Sequence, residues 1–124
     1  MILYGVALMV IVHNLYCVNL SNFYLWQYDA TTKQVMSTID LRTKEAKEFA
    51  GVKYNIGINW MFEPSVNYYI LTRKMTQLNL GNRLGPDNFY DFYYFLPEDK
   101  QIMDKYHLKA IKTFEPFPGI LAKS

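Results

Sequence analysis

The densest gathering of chemically capable side chains runs Trp60-Met61-Phe62-Glu63-Pro64-Ser65-Val66-Asn67-Tyr68-Tyr69. A carboxylate, a hydroxyl and a carboxamide at alternate positions, framed by Trp60 and Tyr68, suit a sugar hydroxyl or a phosphate. Rings offer apolar faces, the hydroxyl and amide offer directed hydrogen bonds, and a helix N-terminus attracts anions. The same residues have a plainer use, with Glu63 or Ser65 as a cap or first-turn acid and Trp60 and Tyr69 in a core. Asp91, next to Tyr90, Tyr93 and Tyr94, joins this group if its strand lies beside the strand that leads into Trp60; otherwise it caps a turn.

Beyond that segment little points to catalysis. Glu98 and Asp99 follow Pro97 and read as first-turn acids of a helix. His13 and His107 are isolated in sequence, and a single cysteine, Cys17, excludes an internal disulfide and leaves a zinc site without ligands. There is no phosphate-binding glycine loop and no dinucleotide fingerprint. No catalytic residue, metal or cofactor is therefore expected. Thirteen Lys and Arg against eleven Asp and Glu leave a net charge of +2 with no basic stripe, so a nucleic-acid partner is not expected either.

The elements that position these residues follow from patterning. Asp29, Thr31 and Thr32 are candidate N-caps for a helix in which Val35, Met36 and Ile39 recur at helical spacing, with helix formers continuing to about residue 50 and Gly51 just beyond. Residues 52–59 (VKYNIGIN) alternate as a strand, and Pro64 opens a helix that finishes near Arg73 and Lys74. Leu78 to Leu80 reads as a short strand, and 81–88 (GNRLGPDN) as an exposed loop. Residues 92–96 (FYYFL) suit a buried strand, 101–106 a helix, and 108–114 with 119–122 a hairpin around a proline-rich turn. The alternation predicts a small three-layer α/β sandwich with a mostly parallel sheet and a C-terminal β-hairpin.

Residues 1–12 (MILYGVALMVIV) carry no charge and are apolar all round. A signal peptide, a buried core helix and the end of a transmembrane helix all remain open, and they differ in their flanks. The absence of a basic start and of a small-x-small cleavage site disfavours the first, and the absence of a polar face disfavours the second. The expectation is a membrane segment over 1–20, followed by an extracytoplasmic α/β domain over 21–124. Tyr16, Phe23, Tyr24, Trp26 and Tyr28 then stand where aromatic belts form. No Lys or Arg precedes Lys33, which places the following domain outside the cytoplasm, on the periplasmic side in a bacterium. Asn19-Leu20-Ser21 fits the N-glycosylation pattern, which matters only in a eukaryotic lumen.

At residues 19–29 (NLSNFYLWQYD), 60–69 (WMFEPSVNYY) and 91–94 (DFYY) the chain resembles the tails of bacterial polytopic glycosyltransferase-like proteins. That lipid-linked-sugar class includes protein mannosyltransferases and the lipid A aminoarabinose transferase. The resemblance implies a bundle of membrane helices followed by a periplasmic α/β domain, with catalytic acids in an early loop that has no counterpart here. It supplies no catalytic residue. It implies the membrane and the rest of a polytopic parent chain as partners, and a supporting role in which Trp60, Glu63, Ser65, Asn67, Tyr68 and Asp91 help to position an acceptor or lipid-linked sugar. The alternative is a non-enzymatic, membrane-tethered protein-interaction domain.

Overall fold

The computed structural model describes residues 2–17, 27, 29–45, 51, 53–115 and 117–124. Among the described residues there are four helices, α1 (Ile2–Cys17), α2 (Thr32–Glu45), α3 (Glu63–Thr72) and α4 (Gln101–Lys105), and four strands, β1 (Ile56–Ile58), β2 (Phe92–Phe95), β3 (Lys109–Phe114) and β4 (Gly119–Lys123), in the order α1-α2-β1-α3-β2-α4-β3-β4. Short 3₁₀ turns at Trp60–Phe62 and Pro97–Asp99 lead into α3 and α4.

An aromatic run such as Phe92-Tyr93-Tyr94-Phe95 is stable only where both faces of its strand are covered. β2 accordingly lies inside a four-stranded sheet ordered β1-β2-β4-β3, with all four of its residues buried. Phe92 and Tyr94 turn to one face, where they meet Ile56, Ile58 and Leu121 under Val35, Met36 and Ile39 of α2 and Val66 and Ile70 of α3. Tyr93 and Phe95 turn to the other, with Ile120, Ala122, Leu108 and Ile102 of α4. The mixed α/β class is as expected.

The sheet is not mostly parallel. Only β1 and β2 run parallel, while β2–β4 and β4–β3 are antiparallel. The cause is the terminal hairpin: its short turn forces β3 and β4 to oppose, and it docks on β2 through its second strand. That choice buries Leu121 and leaves Lys109 and Lys112 on the edge strand β3, where charged side chains discourage further strand pairing. The hairpin itself forms where the patterning put it.

Other boundaries shift modestly. The strand expected over 52–59 is regular only at Ile56–Ile58, with an isolated parallel bridge from Tyr54 to Leu78 in place of a separate strand at 78–80. α3 starts at Glu63 with Pro64 in its first turn and stops at Thr72; Lys74, with φ 52°, takes the left-handed conformation beyond it. The expected helical extension over 46–50, Val52, Asn19 and the aromatics Phe23, Tyr24, Trp26 and Tyr28 lie outside the described residues.

α1 is no core helix. Its large apolar side chains from Tyr4 to Tyr16 are 49 to 91% exposed. Two of its polar side chains bond within the helix: Asn14 Nδ2 donates to the Val10 carbonyl at 2.9 Å, and His13 Nε2 lies 3.6 Å from Cys17 Sγ. At 16 residues α1 is about 24 Å long against a hydrocarbon core of about 30 Å. Among the described residues no helix is long and apolar enough to cross a membrane.

Candidate functional site

The parallel pairing of β1 and β2 brings their carboxyl ends together, and there the 3₁₀ turn Trp60–Phe62 follows β1 and runs directly into α3 at Glu63. The N-terminus of α2 arrives at the same end of the sheet. Tyr94, fully buried on β2, stacks its ring on Phe62 with centroids 4.2 Å apart. Its hydroxyl lies 3.2 Å from Thr31 Oγ1 and 3.1 Å from Thr32 Oγ1. Thr32 Oγ1 donates to Asp29 Oδ1 at 2.6 Å, and Ser65 Oγ donates to Asp29 Oδ2.

A hydroxyl has one proton, so these contacts fix one another's direction. Thr32 gives its proton to Asp29, hence Tyr94 donates to Thr32 and Thr31 donates to Tyr94. The chain of donors ends on the Asp29 carboxylate, which receives Ser65 from the other side. Burial, above all, holds the Tyr94 phenol above its ordinary value; the two threonine hydroxyls pull the other way and the negative charge of Asp29 adds to the rise. Where the starts of two helices converge, an anion is favoured, and here the protein supplies its own.

The remaining polar candidates are also engaged. Glu63 accepts from Arg83 Nε and lies 3.5 Å from Asn67 Nδ2. Asn67 grips the chain at Gly81 from both sides, its Nδ2 donating to the carbonyl at 3.1 Å and its Oδ1 accepting from the amide at 2.8 Å. A side-chain amide thus imitates strand pairing and holds the segment that follows Leu78 against β1.

Asp91 does not join this group. Its strand does lie beside β1, but the parallel register Ile56↔Phe92 puts it at the amino end, where its Oδ2 accepts from the Asn55 amide at 2.7 Å. That is about 15 Å from Trp60, at roughly 3.3 Å per strand residue. Asp91 closes the entry to the two strands.

What the site offers to solvent is aromatic. Trp60 is 64% exposed and Tyr68 60%, with Tyr68 edge-on to Tyr69 at 5.3 Å. With Pro64 and Leu71, also exposed, they lie at spacings of four, four and three along the turn Trp60–Phe62 and α3. Ser65 has a carboxylate partner and no imidazole beside it, and among the described residues no three His, Cys, Asp or Glu side chains are placed to hold a metal. The arrangement can bind and orient.

The roles of Asp29, Tyr94 and Gly81 escape a reading of local sequence. Asp29 and Ser65 are 36 residues apart, and nothing near either announces the other. A comparison with protein families, curated proteins and solved structures finds no match for this chain.

Proposed function

We propose that this chain is the membrane-tethered, extracytoplasmic α/β domain of a glycosyltransferase-like membrane protein, helping to position an acceptor or lipid-linked sugar beside the bilayer. The observation that carries the membrane part is α1, free of Asp, Glu, Lys and Arg, apolar all round up to Val12 and exposed from Tyr4 to Tyr16, with Asn14 and His13 bonded inside the helix. A helix of this kind is costly in water and at home in lipid. The extracytoplasmic side is supported by the first cation, Lys33, falling well beyond α1. The link to sugar transfer is supported by the resemblance of residues 60–69 and 91–94 and by the exposed Trp60 and Tyr68, since such rings stack on sugar faces. We infer in addition that α2 and α3 on one face and α4 on the other make a three-layer arrangement, supported by the buried clusters on both sides of the sheet.

One observation favours the interaction-domain reading: Pro64, Tyr68 and Leu71 on α3, with Trp60 in the turn before it, are all exposed, a form that also suits a protein partner. The two separate in one experiment. The full chain is reconstituted in vesicles with a photoactivatable polyisoprenyl-phosphate sugar and illuminated. The sugar-positioning reading expects cross-links at α1 and around Trp60 and Tyr68, lost from the domain in W60A/Y68A. Cross-links confined to α1, unchanged in that variant, leave these exposed residues to a protein partner and contradict the sugar role.

A further inference from the structure

A second surface lies at the opposite end of the sheet from Ser65 and Trp60, where α2 ends, β3 begins and β4 finishes. A cleft of about 440 Å³ there is lined by Arg42, His107, Lys109, Ile111 and Lys123, with Ala110 and Ser124. Among the described residues, no Asp or Glu side chain lines it. A smaller recess of about 170 Å³, reaching Tyr54 and Phe92, shares Arg42 and Lys123 with it and has Glu45 at its margin.

Three features distinguish this cleft from ordinary solvated charge. First, Lys109 and Lys123 are direct cross-strand partners in the β3–β4 ladder, and like charges in that position repel. Second, the ion pairs among the described residues, Lys44–Asp40, Arg83–Glu63 and Lys105–Asp87, leave Arg42, Lys109 and Lys123 with no carboxylate. Third, three separate elements bring these groups together. β-strand alternation turns Lys123 to the same face as Leu121, the face under α2, whose last turn carries Arg42. His107 ends α4 with φ 51°, in the left-handed position that Gly or Asn ordinarily takes, while the Leu108 amide bonds back to the Met103 carbonyl at 2.8 Å. Complementing the negative end of α2 accounts for Arg42, but not for two opposed lysines beside it.

We propose that this cleft binds a phosphate group, either a soluble phosphate or pyrophosphate or the phosphate of an anionic lipid headgroup. A guanidinium forks onto two phosphate oxygens, and two ammonium groups neutralise the remaining charge as point cations. The volume fits a pyrophosphate or a phosphosugar. Binding relieves the repulsion between Lys109 and Lys123, so the anion supplies a counter-charge that the ion pairs among the described residues do not. The proposal stands whether or not α1 enters a bilayer.

The test uses the full chain in a neutral detergent, titrated calorimetrically with sodium pyrophosphate. In parallel, its retention on vesicles of phosphatidylcholine is compared with retention on vesicles that also contain phosphatidylglycerol. K109Q/K123Q is compared with K33Q/K100Q, which removes the same charge from exposed positions outside the cleft, and with R42K, which keeps charge but loses the fork. All these side chains are exposed, so the fold has little reason to change. The expected result is binding weakened roughly tenfold for each cleft lysine removed, a smaller loss in R42K, and no change in K33Q/K100Q. Loss in the pyrophosphate arm identifies a soluble phosphate; loss only of the extra retention on anionic vesicles identifies a headgroup. The proposal is overturned if neither ligand distinguishes K109Q/K123Q from the wild type, or if K33Q/K100Q loses as much.

Discussion

Gly57 stands at the centre of β1, buried, on the face opposite Ile56 and Ile58, and the Tyr90 ring lies directly against it. A Cβ added there would sit 2.4 Å from Tyr90 Cδ2, 2.9 Å from Cε2 and 3.0 Å from Cγ. These atoms belong to the body of a ring that cannot bend aside. Tyr90 is also held at both ends, its hydroxyl donating to the Gly85 carbonyl at 3.1 Å and its amide donating to Tyr93 Oη at 2.9 Å. Gly57→Ala must therefore move the ring, at about 1–3 kcal/mol for overpacking, with about 1 kcal/mol more if the bond to Gly85 breaks. Reduced freedom of the unfolded chain returns about 0.4–1 kcal/mol. The net expectation is a loss of about 1–3 kcal/mol, or roughly 4 °C of melting temperature per kcal/mol in a chain this size. Urea unfolding of the full chain in a mild detergent, followed by tryptophan fluorescence, measures it. The same substitution in a Tyr90→Ala background isolates the cause, because with the ring gone Gly57→Ala becomes nearly neutral. An equal loss in both backgrounds would refute the reasoning, since the penalty would then come from the strand and not from the ring.

Tyr94→Phe removes the hydroxyl that joins Thr31 to Thr32 inside the core, and a loss of about 1–2 kcal/mol in urea unfolding near neutral pH is expected. Its pH dependence follows from a phenol whose folded value is raised by burial: the contribution is whole below the ordinary value of 10.0 and is lost as pH climbs through the folded value. The stability gap between wild type and Tyr94→Phe should accordingly shrink in alkaline titrations above pH 10.0, and a gap that widens there contradicts the assignment. Asn67→Ala should cost about 1–2 kcal/mol and speed hydrogen exchange at the Gly81 amide, its bonded partner; undiminished protection of that amide would mean that Asn67 is not what holds the segment.

Elements with strong local signals were legible in the sequence. The aromatic run at 92–95, Pro64 at a helix start and the two strands flanking residues 115–118 each became the element their residue types favour. Sheet order was not legible, because β1-β2-β4-β3 depends on which edge of the hairpin buries more, a comparison between Leu121 and the lysine-rich β3 that no local pattern contains. The candidate site divided along the same line. Glu63, Ser65 and Asn67 were found as residues, but their partners Arg83, Asp29 and Gly81 lie 20, 36 and 14 positions away. Asp91 was expected in the group on the condition that its strand lie beside β1; the strands do pair, but Asp91 sits at the amino end, since proximity of strands says nothing of which end a residue occupies. Lys109 and Lys123 were not legible as partners, because the hairpin expected over 108–114 and 119–122 stops short of Lys123 and only the irregularity between Ala110 and Lys112 shifts the register enough to oppose them.

A membrane tether stands or falls with α1, and spin labelling of the reconstituted chain measures the surroundings of that helix. A nitroxide is placed at Leu8→Cys with Cys17→Ser, at native Cys17, or at Lys33→Cys with Cys17→Ser. Each is then relaxed by dissolved oxygen, which concentrates in hydrocarbon, and by a water-soluble nickel chelate. A membrane tether predicts that the Leu8 label responds to oxygen and is shielded from the chelate, that the Cys17 label is intermediate, and that the Lys33 label behaves as in water. A Leu8 label as open to the chelate as the Lys33 label would contradict it.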